Sequence, residues 1–106
     1  LRYNKETMKR TYKFKARVWL YPGDAAWHFV TLPQKTSLDI DDFFGHMKKG
    51  FGSLPVKVTV DQTLWQTSIF PSKQEGSYIL PLKAPVRKAE GIKVGDTVSF
   101  SVELGS

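Results

Sequence analysis

From Tyr12 to Leu20 every second side chain is apolar: Tyr12, Phe14, Ala16, Val18 and Leu20 alternate with Lys13, Lys15, Arg17 and Trp19. A strand turns successive side chains to opposite faces, so this period writes one buried face and one solvated face. The pattern returns in Val56, Val58 and Val60 against Lys57 and Thr59. It returns again in Val98, Phe100, Val102 and Leu104 against Thr97, Ser99, Ser101 and Glu103. A chain with such segments at its start, middle and end has to pair them over long distances. The expected class is therefore mostly β.

Turn chemistry fills the gaps. Pro22-Gly23-Asp24 breaks the first strand, and residues 27–32 (WHFVTL) read as a second strand hairpinned to it, stopped by Pro33. Residues 64–70 form a fourth strand ended by Pro71. Residues 77–82 form a fifth, in which Pro81 signals an edge or a bulge. The period changes over residues 37–49. Ile40, Phe43, Phe44 and Met47 fall on one helical face, Ser37 is placed as N-cap, and Gly50 follows as the stop. Pro85 opens a short helical turn over 86–90 that Gly91 ends, and Gly95-Asp96 leads into the last strand. With 106 residues, 41% hydrophobic and 13% aromatic, the chain has material for one core. The expectation is a small six-stranded β-barrel, closed or nearly closed, with one amphipathic helix and one short helical turn. Residues 9–104 are assigned to this domain. Residues 1–8 are assigned to an N-terminal extension or expression remnant, with Met8 as a candidate start.

The chain has no cysteine, which excludes disulfide frameworks, thiolate metal sites and cysteine nucleophiles. No apolar run reaches the ~20 residues of a membrane span. The first ten residues lack the apolar centre of a signal peptide. A soluble, cytoplasmic protein without cofactor is expected. The net charge of +6 is uneven. Residues 1–17 hold seven basic side chains against Glu6, and residues 18–106 balance nine against nine.

No catalytic set stands out. His28 and His46 lack the spacing and companion ligands of a zinc site, so no metal is expected. Asp39, Asp41 and Asp42 are read as favourable charges in the first turns of the helix. Lys49-Gly50-Phe51-Gly52 matches the start of an RNA-recognition signature, but Ser53 and Val56 replace its later aromatics and Pro55 interrupts pairing. A helix end and turn is the preferred account. Two binding readings remain. Trp27, Trp65, Thr67 and Tyr78 are candidates to line a small-ligand pocket in a barrel opening. Lys13, Lys15, Arg17 and Trp19 share one strand face and form a candidate nucleic-acid surface, with Lys83, Arg87 and Lys88 as helpers.

Four phrases in order carry a resemblance. They are Trp27-His28-Phe29-Val30-Thr31-Leu32-Pro33, Gly52-Ser53-Leu54-Pro55-Val56, Trp65-Gln66-Thr67-Ser68-Ile69-Phe70-Pro71, and Tyr78-Ile79-Leu80-Pro81-Leu82-Lys83 running on to Gly95-Asp96-Thr97-Val98. Together they resemble the small bacterial domain-of-unknown-function family nineteen-oh-five, from about Lys9 to Leu104. The resemblance implies a double-split β-barrel, related in fold to AbrB/MazE-like transcription factors, and supplies no catalytic residues. The expected function is a non-catalytic binding module for a small ligand or a protein partner, with nucleic-acid binding through the basic strand face as the alternative. The expected assembly is a monomer or weak homodimer, away from membranes.

Overall fold

The computed structural model describes residues 8–23 and 27–105. Its strands are β1 (Lys9–Arg17), β2 (Trp19–Leu20), β3 (His28–Thr31), β4 (Leu54–Val60), β5 (Thr63–Ser72), β6 (Ser77–Pro81) and β7 (Thr97–Gly105). Its helices are α1 (Gln34–Phe44) and α2 (Ala84–Glu90). The strands form one antiparallel sheet in the order β1-β7-β4-β5-β6-β3-β2. β1 lies along β7 from Lys9↔Gly105 to Arg17↔Thr97, so the two ends of the described chain are neighbours.

Among the described residues seven strands replace the expected six, because the alternating segment 12–20 is not one strand. At Val18 the chain leaves β7. The Val18 N–H donates to the Asp96 carbonyl at 2.9 Å, and the Val18 carbonyl accepts the Gly95 N–H at 2.9 Å. The next two residues pair with β3 instead, Trp19 opposite Phe29 and Leu20 opposite His28. The two outermost strands are thus consecutive lengths of chain. The sheet curls until its ends are joined through Val18, and no hydrogen-bonded ladder closes the ring between β1 and β2. It is an open, curled half-barrel, where a closed or nearly closed barrel was expected. Alternation specifies which face a residue takes but not which neighbour its backbone pairs with.

Pro71 does not end its strand. β5 exchanges partners there: Ile69 is paired with Leu54 of β4, and Phe70 with Ile79 of β6. Pro71 stands opposite Tyr78, whose N–H donates to Ser37 Oγ and whose carbonyl accepts the Leu32 N–H. Neither Tyr78 group needs β5, so a residue without an N–H fits at that pair. Pro81 stands past the end of the β5–β6 ladder, where one side of β6 is locally an edge.

The inner faces of the strands and one side of α1 enclose the core. Val58, Val102, Leu80, Val30, Ile69 and Ile40 are each fully buried. α1 begins at Gln34, earlier than the expected 37, and ends at Phe44, followed by a 3-10 turn over Gly45–Met47. Ser37 is therefore not the N-cap. It lies buried inside the helix and accepts the Tyr78 N–H at 3.0 Å. Ile40 and Phe44 reach the core, but Met47 falls past the helix end and is 39% exposed. α2 starts just ahead of the expected turn, and Gly91 closes it at φ 65°, the left-handed cap that glycine adopts without strain.

Candidate binding surface

Lys13, Lys15 and Arg17 all leave the sheet on the side opposite the buried Ala16 and Val18. Their cross-strand neighbours on β7 are Ser101, Ser99 and Thr97, so no carboxylate stands directly opposite any of them. Among the described residues the ion pairs are Lys9–Glu103, Arg10–Asp39 and Lys48–Asp41, none of which involves these three cations. Lys13 and Lys15 line an open cleft of about 440 Å³ together with Thr59, Asp61, Ser99 and Ser101.

The outward row runs on to Trp19, roughly 20 Å from Lys13 at the usual strand rise. Trp19 faces Phe29 with ring centroids 5.2 Å apart. Trp27 and Tyr21 add rings 6.0 and 6.1 Å from Phe29, and stand 6.0 Å from each other. Phe29 is only 5% exposed, yet it belongs to this outer cluster and not to the central core. Trp27 and Tyr21 cover it while remaining 55% and 46% exposed. Trp19 Nε1–H donates to Thr31 Oγ1 at 2.9 Å, and the Thr31 hydroxyl donates to Glu75 at 2.7 Å, which fixes the Trp19 ring. Of the helpers, Lys83 is exposed. The Phe29↔Pro81 register, continued by the Leu82 N–H to the His28 carbonyl, brings it level with Trp27. Lys88 is exposed on α2. Arg87 is turned inward: its Nε–H donates to the Leu82 carbonyl at 3.0 Å, and its Nη1 lies 3.4 Å from His28 Nε2.

The small-ligand quartet does not assemble. Trp65 and Thr67 share the inner face of β5, opposite Val58 and Val56. Tyr78 is buried on β6 beside α1, and Trp27 stands on the outside of the sheet. The strand parity that turns Val30 into the core turns Trp27 and Phe29 out of it. The segment 49–52 forms a turn and not a strand of an RNA-recognition sheet. His46 is exposed in the 3-10 turn after α1. Among the described residues, no three His, Cys, Asp or Glu side chains gather as a metal site. No described helix is long and apolar enough to cross a membrane.

A family model described as "Domain of unknown function (DUF1905)" matches residues 14–102. The chain belongs to the DUF1905 family. No curated protein matches it. The matched span of the DUF1905 domain includes Lys15, Arg17 and the whole aromatic cluster.

Sequence reasoning missed a pair of clamps in this DUF1905 domain. The helix starts at Gln34, so no acid stands in its first turn, and the aspartates are not dipole residues there. Asp39 instead accepts the Tyr12 hydroxyl at 2.5 Å and lies 3.3 Å from Arg10 Nε. The Arg10 guanidinium stands 4.0 Å over the Phe43 ring. Asp41 accepts the Tyr78 hydroxyl at 2.5 Å and lies 3.3 Å from Lys48 Nζ, which stands 5.6 Å over the Tyr78 ring. Each carboxylate thus joins a tyrosine from the sheet to a cation stacked on an aromatic. Burial, reinforced by the hydrogen bond to Asp39, pushes the Tyr12 phenol up to about 12. Burial and Asp41 push Tyr78 up as well. These bonds hold α1 across the sheet. The only signal in the sequence is two aspartates two residues apart on a helix.

Proposed function

We propose that the domain is a non-catalytic binding module whose partner is single-stranded nucleic acid, held along the outer row from Lys13 to Trp27. One observation carries this reading. Three cations without carboxylate partners among the described residues lie on the same strand face as a fixed cluster of four aromatic rings. Cations meet phosphates, and the exposed faces of Trp27 and Tyr21 offer stacking to unpaired bases. Stacking on exposed rings needs no enclosed pocket, so dispersal of the quartet leaves it untouched. The exchange of partners along β5 supports the double-split plan that the family resemblance implies.

Titration of tryptophan fluorescence with an oligothymidylate tests the proposal. The expected result is quenching at low salt, with log K falling against log salt at a slope of about −2 for three single-strand phosphate contacts. The variant Lys13→Gln/Lys15→Gln/Arg17→Gln is expected to flatten that slope. Trp27→Ala is expected to weaken binding by ~1–3 kcal/mol while leaving the slope unchanged. No quenching at low salt, or a triple variant that binds like the parent, overturns it.

A further inference from the structure

β1 is the outermost strand at one end of the sheet, and among the described residues its outer edge pairs with no other strand. The register decides which of its backbone groups face that edge. Opposite residues of an antiparallel pair alternate between exchanging hydrogen bonds and turning them away from each other. The Val18 N–H donates to the Asp96 carbonyl, and this pair continues the β1–β7 register beyond Arg17↔Thr97 without a slip. Ala16, Phe14 and Tyr12 therefore turn their backbone groups toward β7. Thr11, Lys13, Lys15 and Arg17 turn theirs to the free edge, and these four side chains are the exposed ones. The Thr11–Lys15 stretch lies away from Val18, where the two ends of the sheet meet. There is also room beside it. An open cleft of about 650 Å³ is lined by Arg10 and Tyr12 of β1 and by Lys35, Thr36, Leu38, Asp39 and Asp42 of α1.

A row of N–H and C=O groups at strand spacing is complementary to another extended polypeptide backbone. Charge decides whose. If β1 paired with β1 of a second copy about a two-fold axis, odd-numbered residues would stand opposite odd-numbered ones. Lysine and arginine would then meet lysine, arginine or Thr11. Like charges directly opposite weaken a strand pair, and lysines on an edge strand keep copies of a protein apart. The same row suits a strand with a carboxylate at every second position. No carboxylate of this chain takes that place: the β7 neighbours of Lys13, Lys15 and Arg17 are Ser101, Ser99 and Thr97, and none of the three cations joins an ion pair among the described residues.

We infer that β1 receives an acidic extended peptide from another protein, added to its free edge with carboxylates opposite Lys13 and Lys15. The addition is antiparallel, like every ladder of the sheet. The alternate side chains of the peptide turn toward the α1 cleft, where Leu38 stands among groups of both signs, so charge sets no requirement on them. The peptide is held by the backbone of β1 as well as by its cations, and its binding does not rest on the nucleic-acid reading. Where both ligands bind, they compete for Lys13 and Lys15.

Fluorescence anisotropy of a blocked, labelled peptide of about seven residues, alternating glutamate and valine, reads the addition. In antiparallel addition the glutamates direct their N–H groups to β1, and the valine N–H groups face away. Methylating the glutamate nitrogens is expected to weaken binding at least ~10-fold, and methylating the valine nitrogens, which leaves the charge the same, to change it less than ~3-fold. Thr11→Pro removes an outward N–H and no bond to β7, and it keeps every cation. It is expected to weaken peptide binding about 10-fold while leaving the oligothymidylate titration as in the parent chain. Circular dichroism checks the fold of this variant, and the methylated peptides test the wild-type chain without any variant. No anisotropy change up to about 1 mM peptide at low salt overturns the inference. So does an equal loss from the two methylations, which is the result of charge attraction alone. Self-association of the wild-type chain that disappears in Thr11→Pro would put a second copy on the edge and overturn it as well.

Discussion

Tyr12 and Tyr78 each exchange solvent for one aspartate of α1, and the exchange fixes when they ionise. A phenol that holds its proton more tightly folded than unfolded stabilises the fold below its unfolded pKa of about 10. That contribution is lost as pH rises through the folded value, which for Tyr12 is about 12. Urea stability is therefore expected to fall on the alkaline side of pH 10, and Tyr12→Phe is expected to reduce the fall. Tyrosinate absorbance at 295 nm should show a late component that shrinks in the same variant. A single step near pH 10 in the folded protein would count against the clamps. Removing the hydroxyl also removes a hydrogen bond to a charged group, at a neutral-pH cost of about 1.5–3 kcal/mol. The aspartates were visible in the sequence, but their partners lie 27 and 37 positions away, beyond the reach of any local spacing rule.

Helix α1 separates what periodicity reveals from what it hides. Ile40, Phe43, Phe44 and Met47 share one helical face by spacing, which makes Phe44 and Met47 equivalent. They are not, because the helix stops at Gly45 and the next turn is 3-10. Phe44→Ala is expected to cost about 3–5 kcal/mol in urea unfolding, since the side chain is 1% exposed and leaves a cavity. Met47→Ala is expected to cost under ~1 kcal/mol, as for side chains outside the core. Equal losses would mean that the helix continues through residue 47 in solution. The strands show the same division. Alternation marks the inner residues of β1, β4 and β7, and the turn residues mark most boundaries. The division of the first strand at Val18 depends on backbone groups of Gly95 and Asp96 at the far end of the chain, and no pattern within residues 9–20 contains it. The cation row was legible for the converse reason: parity alone sets it. The pocket quartet failed on both counts: parity puts Trp27 on the face opposite Val30, and bringing Trp65, Thr67 and Tyr78 together required a three-dimensional closure that parity does not supply.

At the scale of the whole molecule, one length of chain serves both ends of the sheet. β1 belongs to the ladder with β7 and β4, and β2 to the ladder with β3 and β6. Val18 joins them, 1% exposed and bonded to the 95–96 turn. Neither half can come apart without pulling on the strand that edges the other, so the halves are expected to melt together. Trp27 reports on β2 and β3, and Trp65 reports on β4 and β5. Chains retaining one of these tryptophans, the others replaced by phenylalanine, are expected to give coincident midpoints in urea, as a two-state transition requires. Val18→Asp places a charge in the core at the junction and is expected to cost several kcal/mol of stability, lowering both midpoints equally. If the Trp27 midpoint fell while that of Trp65 held, the two ladders would be separable units and Val18 only a local corner.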